Sequence, residues 1–181
     1  MAANSYLVIV MLFLLTMSGC AKAPKPDGPK DQLNLKTAAE ASTSALLRRD
    51  FATVADYTYD PLVEIIGGKE EVIFTLEGQL KDLDDKGMAI VSINVGEPGP
   101  VNNIENLQFS VVPTTIKLKY KDASLVSESF VLGVSNDGGK RWKFVDGAVS
   151  DNQEVMKELF PNAADKLQLP PIKEPVISDD K

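Results

Sequence analysis

The segment 124–146 constrains the fold most strongly, because it has the sequence pattern of a single β-hairpin. Apolar residues share one parity in its first half: Val126, Phe130, Leu132 and Val134. The sequence Asn-Asp-Gly-Gly at 136–139 is typical of a tight turn. After the turn, Trp142 and Phe144 alternate with Arg141 and Lys143, which predicts a second strand with one buried face. We expect the preceding parts of the chain to cover the apolar face of this hairpin.

Four helices are predicted before the first strand, each with apolar residues along one side. An alanine-rich helix is predicted over 34–49, and a short second helix over 51–58. Asp60-Pro61 predicts the start of a third helix with Asp60 as its N-cap, and Gly67-Gly68 predicts its end. The fourth helix is predicted over 69–85, before Gly87.

The strands come after these helices. Alternation over 89–95 predicts a first strand that ends at the turn 96–100. The next apolar set is Leu107, Phe109 and Val111, but beyond Pro113 it becomes Ile116, Leu118 and Tyr120, which has the opposite parity. This change predicts a bulge or break at Pro113, because one extra residue reverses the face of every later side chain. After the hairpin, a short helix is predicted from Asn152. This order predicts an α+β fold in which N-terminal helices pack on one face of a curved, cone-like antiparallel sheet.

The first twenty residues have the pattern of a secretion signal. An apolar run over 6–17 is too short to span a bilayer and ends in small residues before Cys20. Met17-Ser18-Gly19-Cys20 resembles the lipobox of bacterial lipoproteins, which implies lipidation of Cys20 and attachment to a membrane. Ala21, where an aspartate would resemble an inner-membrane retention signal, favours the outer membrane facing the periplasm, in an organism that has one.

The chain is therefore divided into four parts. These are a signal peptide (1–19), the lipidated cysteine and a proline-rich tether (20–32), one α+β domain (33–160) and a C-terminal tail (161–181). The tether is predicted from Pro24, Pro26, Gly28 and Pro29, which lie among charged residues and cannot form a core.

Composition narrows the classes of activity. A formal charge of −7 argues against nucleic-acid binding, which needs a clustered basic surface. The chain has no histidine and one cysteine, which removes most acid–base, nucleophilic and metal-binding arrangements. No catalytic residue, cofactor or metal ligand is assigned from the sequence.

The segment 39–50, the Asp60-Pro61 start with its Gly67-Gly68 stop, and the hairpin 135–146 resemble small secreted and lipid-anchored proteins of the nuclear transport factor 2-like, cystatin-like class. The resemblance implies helices packed into a strongly curved sheet, often with a pocket, but no particular activity. Tyr57, Tyr59 and Asp60 are the candidate pocket residues, because they lie together near a predicted helix end. The alternative is that the two tyrosines are core residues and that Asp60 is a helix N-cap.

Ser135, Asp137, Gly139 and Trp142 match the Asp-box pattern of sialidases once, whereas sialidases repeat the pattern around a propeller. We interpret the motif as a structural turn in which Asp137 bonds to its own loop and Trp142 anchors the hairpin. A sugar contact is the alternative.

The sequence favours a cell-envelope lipoprotein whose domain binds a small apolar ligand or another envelope protein without catalysis. Two alternatives remain open at this point. One is a small isomerase- or cyclase-type enzyme that uses Asp and Tyr side chains in the cone. The other is an interaction module that forms a homodimer through its sheet.

Overall fold

The computed structural model of the protein describes residues 29–178. The predicted signal peptide, Cys20 and most of the predicted tether lie outside the described residues. The helices are α1 (Pro29–Leu47), α2 (Phe51–Tyr57), α3 (Asp60–Ile66), α4 (Lys69–Asp85), α5 (Gly147–Ser150) and α6 (Gln153–Leu159), with a 3₁₀ turn at Ala164–Lys166. The strands are β1 (Met88–Val95), β2 (Asn102–Ile104), β3 (Leu107–Tyr120), β4 (Ala123–Ser135), β5 (Lys143–Asp146) and β6 (Val176–Ser178).

The strands form one antiparallel sheet with the order β1-β3-β4-β5. The short strand β2 pairs with the first residues of β3, and β6 pairs with the first residues of β4. The sheet is strongly curled into a half-barrel, and the N-terminal helices pack against it. The predicted α+β, cone-like fold is therefore confirmed.

Local signals position the helices. The side chain of Asp50 accepts a hydrogen bond from the Thr53 amide at the start of α2. Gly67, at φ 114°, ends α3 as the Gly67-Gly68 pair predicts. Asp60 is the first residue of α3 and not its N-cap, because the cap position belongs to Tyr59, which makes no capping side-chain bond. The start of α1 at Pro29 is earlier than predicted and falls within the segment assigned to the tether.

The sheet is covered on both faces, which differs from the prediction that the helices cover one. The α1 face is defined by a core cluster of Leu35, Ala39, Val112, Trp142 and Phe144. The opposite face, here called the α6 face, carries the larger cluster: Leu62, Phe109, Leu132, Val134, Val145, Met156, Leu159, Phe160 and Ala163. Successive residues of a strand point to opposite faces, so Phe144 and Val145 of β5 belong to different clusters.

Ordered packing continues beyond Phe160. Ala163 is buried in the α6-face cluster, and Leu167 and Leu169 pack against it. Further on, β6 pairs with residues 124–126 of β4, and Lys173 forms an ion pair with Glu128 at 2.6 Å. This part of the predicted C-terminal tail therefore lies along the sheet.

The bulge predicted at Pro113 is absent from β3, and that prediction was wrong. The pairing of β3 with β4 runs without a shift from Gln108↔Ser135 to Tyr120↔Ala123. The register shift lies instead in β1, between Ile90 and Ser92. Since both faces are buried at the centre of the sheet, apolar residues occur at both parities there. The change of parity in β3 reflects which face is covered, not a slip in register.

Candidate functional site

An open cavity of about 230 Å³ lies on the α6 face, between β2, β3, β4 and the segment that follows the 3₁₀ turn. Its apolar wall consists of Ile104, Phe109, Val111, Leu132, Leu167 and Leu169. Its polar residues are Asn102, Ser110, Lys166 and Gln168. The concave shape and the combination of apolar residues with a few polar groups are typical of small-molecule sites.

Strand alternation and core packing fix the floor of the cavity. Phe109 and Leu132 are almost completely buried, and the Phe109 ring packs edge-on against Phe160 with 5.1 Å between centroids. The C-terminal wall is held by the 3₁₀ turn, where the Leu167 amide donates to the carbonyl of Ala163 at 3.2 Å. The cavity therefore has a buried, closely packed floor and one wall formed by the chain after α6.

Among the described residues that line the cavity, Lys166 is the one ionisable residue. The side chain is exposed, so the charge lies at the mouth of the cavity. The hydroxyl of Ser110 donates to the carbonyl of Gly99 at 2.9 Å and is already engaged. The arrangement can therefore bind a molecule by apolar contact with one positive charge at the rim. It does not bring together a carboxylate and a phenol for proton transfer.

The three predicted pocket residues do not line this cavity and do not converge on one site. Tyr59 is half-buried and stacks on Phe160, with ring centroids 5.2 Å apart; burial and then the negative charge of Asp60 raise the pKa of its phenol. Tyr57 packs against Phe144 at 6.3 Å, with the α1-face cluster. Asp60 is exposed and accepts from Lys143 Nζ at 3.0 Å. The structure places the two tyrosines in core positions with different clusters.

The hairpin loop at 135–141 is closed by hydrogen bonds to Asp137. Its Oδ1 accepts from Ser135 Oγ at 3.0 Å and from the amides of Lys140 and Arg141 at 3.1 and 3.0 Å. Its Oδ2 accepts from Arg141 Nε at 2.8 Å. Gly139, whose φ is 80°, donates a hydrogen bond from its amide to Ser135 Oγ at 3.0 Å. Both carboxylate oxygens are thus used within the loop, as a structural turn requires.

The ionisation of Asp137 contributes to stability. Burial opposes the charge, but hydrogen bonds from Arg141 and Ser135 outweigh it and lower the pKa of Asp137 to about 2. A carboxyl whose pKa is lower in the folded state stabilises the fold above its unfolded pKa, and that contribution is lost as the pH falls through the folded value. The pH window is therefore from about 4 down to about 2.

We expect Asp137→Asn to lower the free energy of unfolding near neutral pH by at most about 2 kcal/mol, because solvent screens the exposed Arg141 partner. The deficit relative to wild type is expected to shrink as the pH falls from about 4 towards about 2. Urea unfolding at a series of pH values measures this. Glu174→Gln is the matched control, since Glu174 is exposed. A deficit independent of pH would contradict the role of the charge.

Two buried polar atoms have no hydrogen-bond partner within the described residues, Gln108 Oε1 and Trp142 Nε1. Trp142 belongs to the α1-face cluster, and Gln108 shares the parity of Val112 in β3. Neither residue lines the cavity, so these atoms add no polar group to the candidate site. No local sequence pattern marks these two atoms, because their isolation follows from tertiary packing.

Residues 29–178 contain neither a cluster of metal ligands nor a membrane-spanning helix. No group of three or more His, Cys, Asp or Glu side chains lies close enough there to hold a metal ion. None of the helices in that range is both long and apolar enough to cross a membrane.

Comparisons with known proteins add no family to this description. No protein-family model matches the chain, and no curated protein matches it significantly in sequence. The resemblance to the nuclear transport factor 2-like class therefore remains an expectation drawn from the order of the elements.

Proposed function

We propose that the protein is a cell-envelope lipoprotein whose domain, similar in layout to the nuclear transport factor 2-like cone, binds a small, mainly apolar molecule without catalysis. The observation that carries the proposal is the open cavity on the α6 face, with its buried floor of Phe109 and Leu132. Wall residues from β2, β3, β4 and the C-terminal segment converge on one concave space, which is a feature of binding sites.

The size of the cavity restricts the ligand. Its volume of about 230 Å³ corresponds to roughly eight water-sized groups of about 30 Å³ each. Cavities that enclose drug-sized molecules are larger, at about 300–1,000 Å³. The ligand is therefore a small molecule or one short segment of a larger molecule.

The enzyme alternative receives no support from the cavity wall. Isomerase-type chemistry needs an acid and a base beside the bound substrate. The wall formed by the described residues contains neither a carboxylate nor a tyrosine. Tyr57, Tyr59 and Asp60, the candidates for such chemistry, lie in core or exposed positions elsewhere.

Anchoring through Cys20 is the second part of the proposal and is supported by the lipobox-like sequence alone. Acyl chains contribute about 0.8 kcal/mol for each buried methylene, so several chains would hold the domain firmly at a membrane surface. Labelling with a fatty-acid analogue would test this part, which fails if Cys20→Ala retains the label and the membrane association.

Native mass spectrometry of the chain after processing by a secreting bacterial host tests the binding proposal. We expect a reproducible small-molecule adduct, and we expect Leu169→Trp to reduce it because the larger side chain occupies the cavity. Leu83→Trp is the matched control, since Leu83 lines a separate, smaller cavity between α1, α4 and β1. Melting temperatures establish that both variants fold. A dimer without adduct would favour the interaction module and contradict the binding proposal.

A further inference from the structure

We propose that the ligand of this cavity is a small amphipathic carboxylate, whose charged group lies at Lys166 and whose apolar part lies against Val111, Leu132 and Leu169. This inference rests on the proposed function and adds the chemical class of the ligand. It follows from three observations: the sign of the charge at the rim, the positions of the polar wall residues and the volume of the cavity.

The charge at the rim is opposite to that of the whole chain. The formal charge of the chain is −7, yet Lys166 is the one ionisable residue in the cavity wall within residues 29–178. Nearby acidic side chains have other partners. Asp165 lies 3.9 Å from Lys157, and Glu105 accepts from Asn162 at 3.4 Å.

Lys166 is available to a ligand. Its ammonium group makes no hydrogen bond or ion pair with the other described residues. The bond that Lys166 does make is from its backbone amide to the carbonyl of Ala163. The side chain is exposed at a turn whose next residue, Leu167, belongs to the wall. An unpaired ammonium group beside an apolar wall favours a ligand that combines an anion with a hydrocarbon part.

Two residues with amide side chains share the wall with Lys166. Asn102 belongs to β2, and Gln168 follows the 3₁₀ turn. Amide side chains can donate to a carboxylate without adding a charge. The described wall contains no negatively charged group that would repel an anion.

The volume sets the length of the apolar part. Space for roughly eight groups of water size fits a chain of about six to eight carbons or one aromatic ring. Octanoate is therefore a suitable probe. Its uncharged counterpart 1-octanol has the same chain length and separates the contribution of the charge from that of the hydrocarbon.

NMR titration of the purified chain with octanoate and with 1-octanol tests the inference. We expect both probes to shift residues of the cavity wall. We expect Lys166→Met to weaken octanoate binding about two- to fivefold, the range for an exposed ion pair, and to leave 1-octanol binding unchanged. Lys86→Met is the matched control, because Lys86 is exposed at the end of α4 and does not line the cavity. Melting temperatures establish that both variants fold.

The outcomes separate this inference from the proposed function. Loss of octanoate affinity in Lys166→Met alone supports the carboxylate class. If both probes bind and Lys166→Met changes neither, the carboxylate class is overturned while the cavity remains a binding site. If neither probe shifts the wall residues of the wild-type chain, both the inference and the proposed binding of a small apolar molecule fail.

Discussion

Replacing Phe160 with alanine is expected to lower the free energy of unfolding by about 3–5 kcal/mol, the usual cost of removing a buried aromatic ring. Phe160 is 2% exposed and follows α6 directly. Its ring stacks on Tyr59 and meets the edge of Phe109, with centroid separations of 5.2 and 5.1 Å. Phe160 therefore joins the chain before α3, the first part of β3 and the C-terminal segment in one cluster.

Urea unfolding of Phe160→Ala measures this effect, and Phe74→Ala is the matched control. Phe74 lies in α4 and is 69% exposed, so its truncation is expected to change stability by no more than about 0.5 kcal/mol. Equal effects of the two substitutions would contradict the burial of Phe160. A small loss in Phe160→Ala would mean that the α6-face cluster contributes little to the fold.

The same ring connects stability to the candidate site. Phe109, which Phe160 holds from one side, forms part of the floor of the cavity. Ala163 lies in the same cluster and accepts from the Leu167 amide, which fixes the start of the C-terminal wall. Positions that stabilise the α6 face therefore also shape the cavity, so binding measurements on core variants need a parallel measurement of stability.

Much of the fold was predictable because its signals are local. Gly67 ends a helix through its own backbone conformation, and Pro61 favours a helix start through its fixed φ angle. The turn at 136–139 specifies a hairpin through residues that accept turn conformations. Such signals act within a few residues, and for that reason they can be recognised without knowledge of the tertiary structure.

Coverage of both sheet faces was not predicted, because it depends on partners that are remote in sequence. Val131 and Gly133 alternate with Phe130, Leu132 and Val134. A small glycine in a strand gives no local indication of what packs against it. In the structure, Gly133 instead leaves room for Leu35 of α1, almost one hundred residues earlier. No local pattern reveals that contact.

The cavity was missed for a related reason. Its wall combines Ile104 of β2, Leu132 of β4 and Leu169 of the segment assigned to a tail. Each is an ordinary aliphatic residue, and only the fold brings them together. Tyr57, Tyr59 and Asp60 are candidates because they lie together near a predicted helix end, but neighbouring positions in sequence do not bring their side chains into this cavity.

Leu35→Ala is expected to lower the free energy of unfolding by about 2–5 kcal/mol, the range for truncation of a buried leucine. Leu35 is completely buried in the α1-face cluster. Leu33→Ala is a close control within the same helix, because Leu33 is 65% exposed. If the two truncations cost the same in urea unfolding, α1 does not dock on the sheet as described.

A double-mutant cycle with Gly133 tests this contact directly. A Cβ at position 133 would lie 2.6 Å from Leu35 Cδ1 and 3.3 Å from Trp142 Cε3, so Gly133→Ala alone is expected to destabilise by overpacking, typically about 1–3 kcal/mol. Truncating Leu35 removes the closest of these obstacles and leaves space for the added methyl group. The two losses are therefore expected to be non-additive, with the double variant more stable than their sum predicts. Additive losses would mean that Leu35 and Gly133 do not touch, and α1 would then need a different position on the sheet.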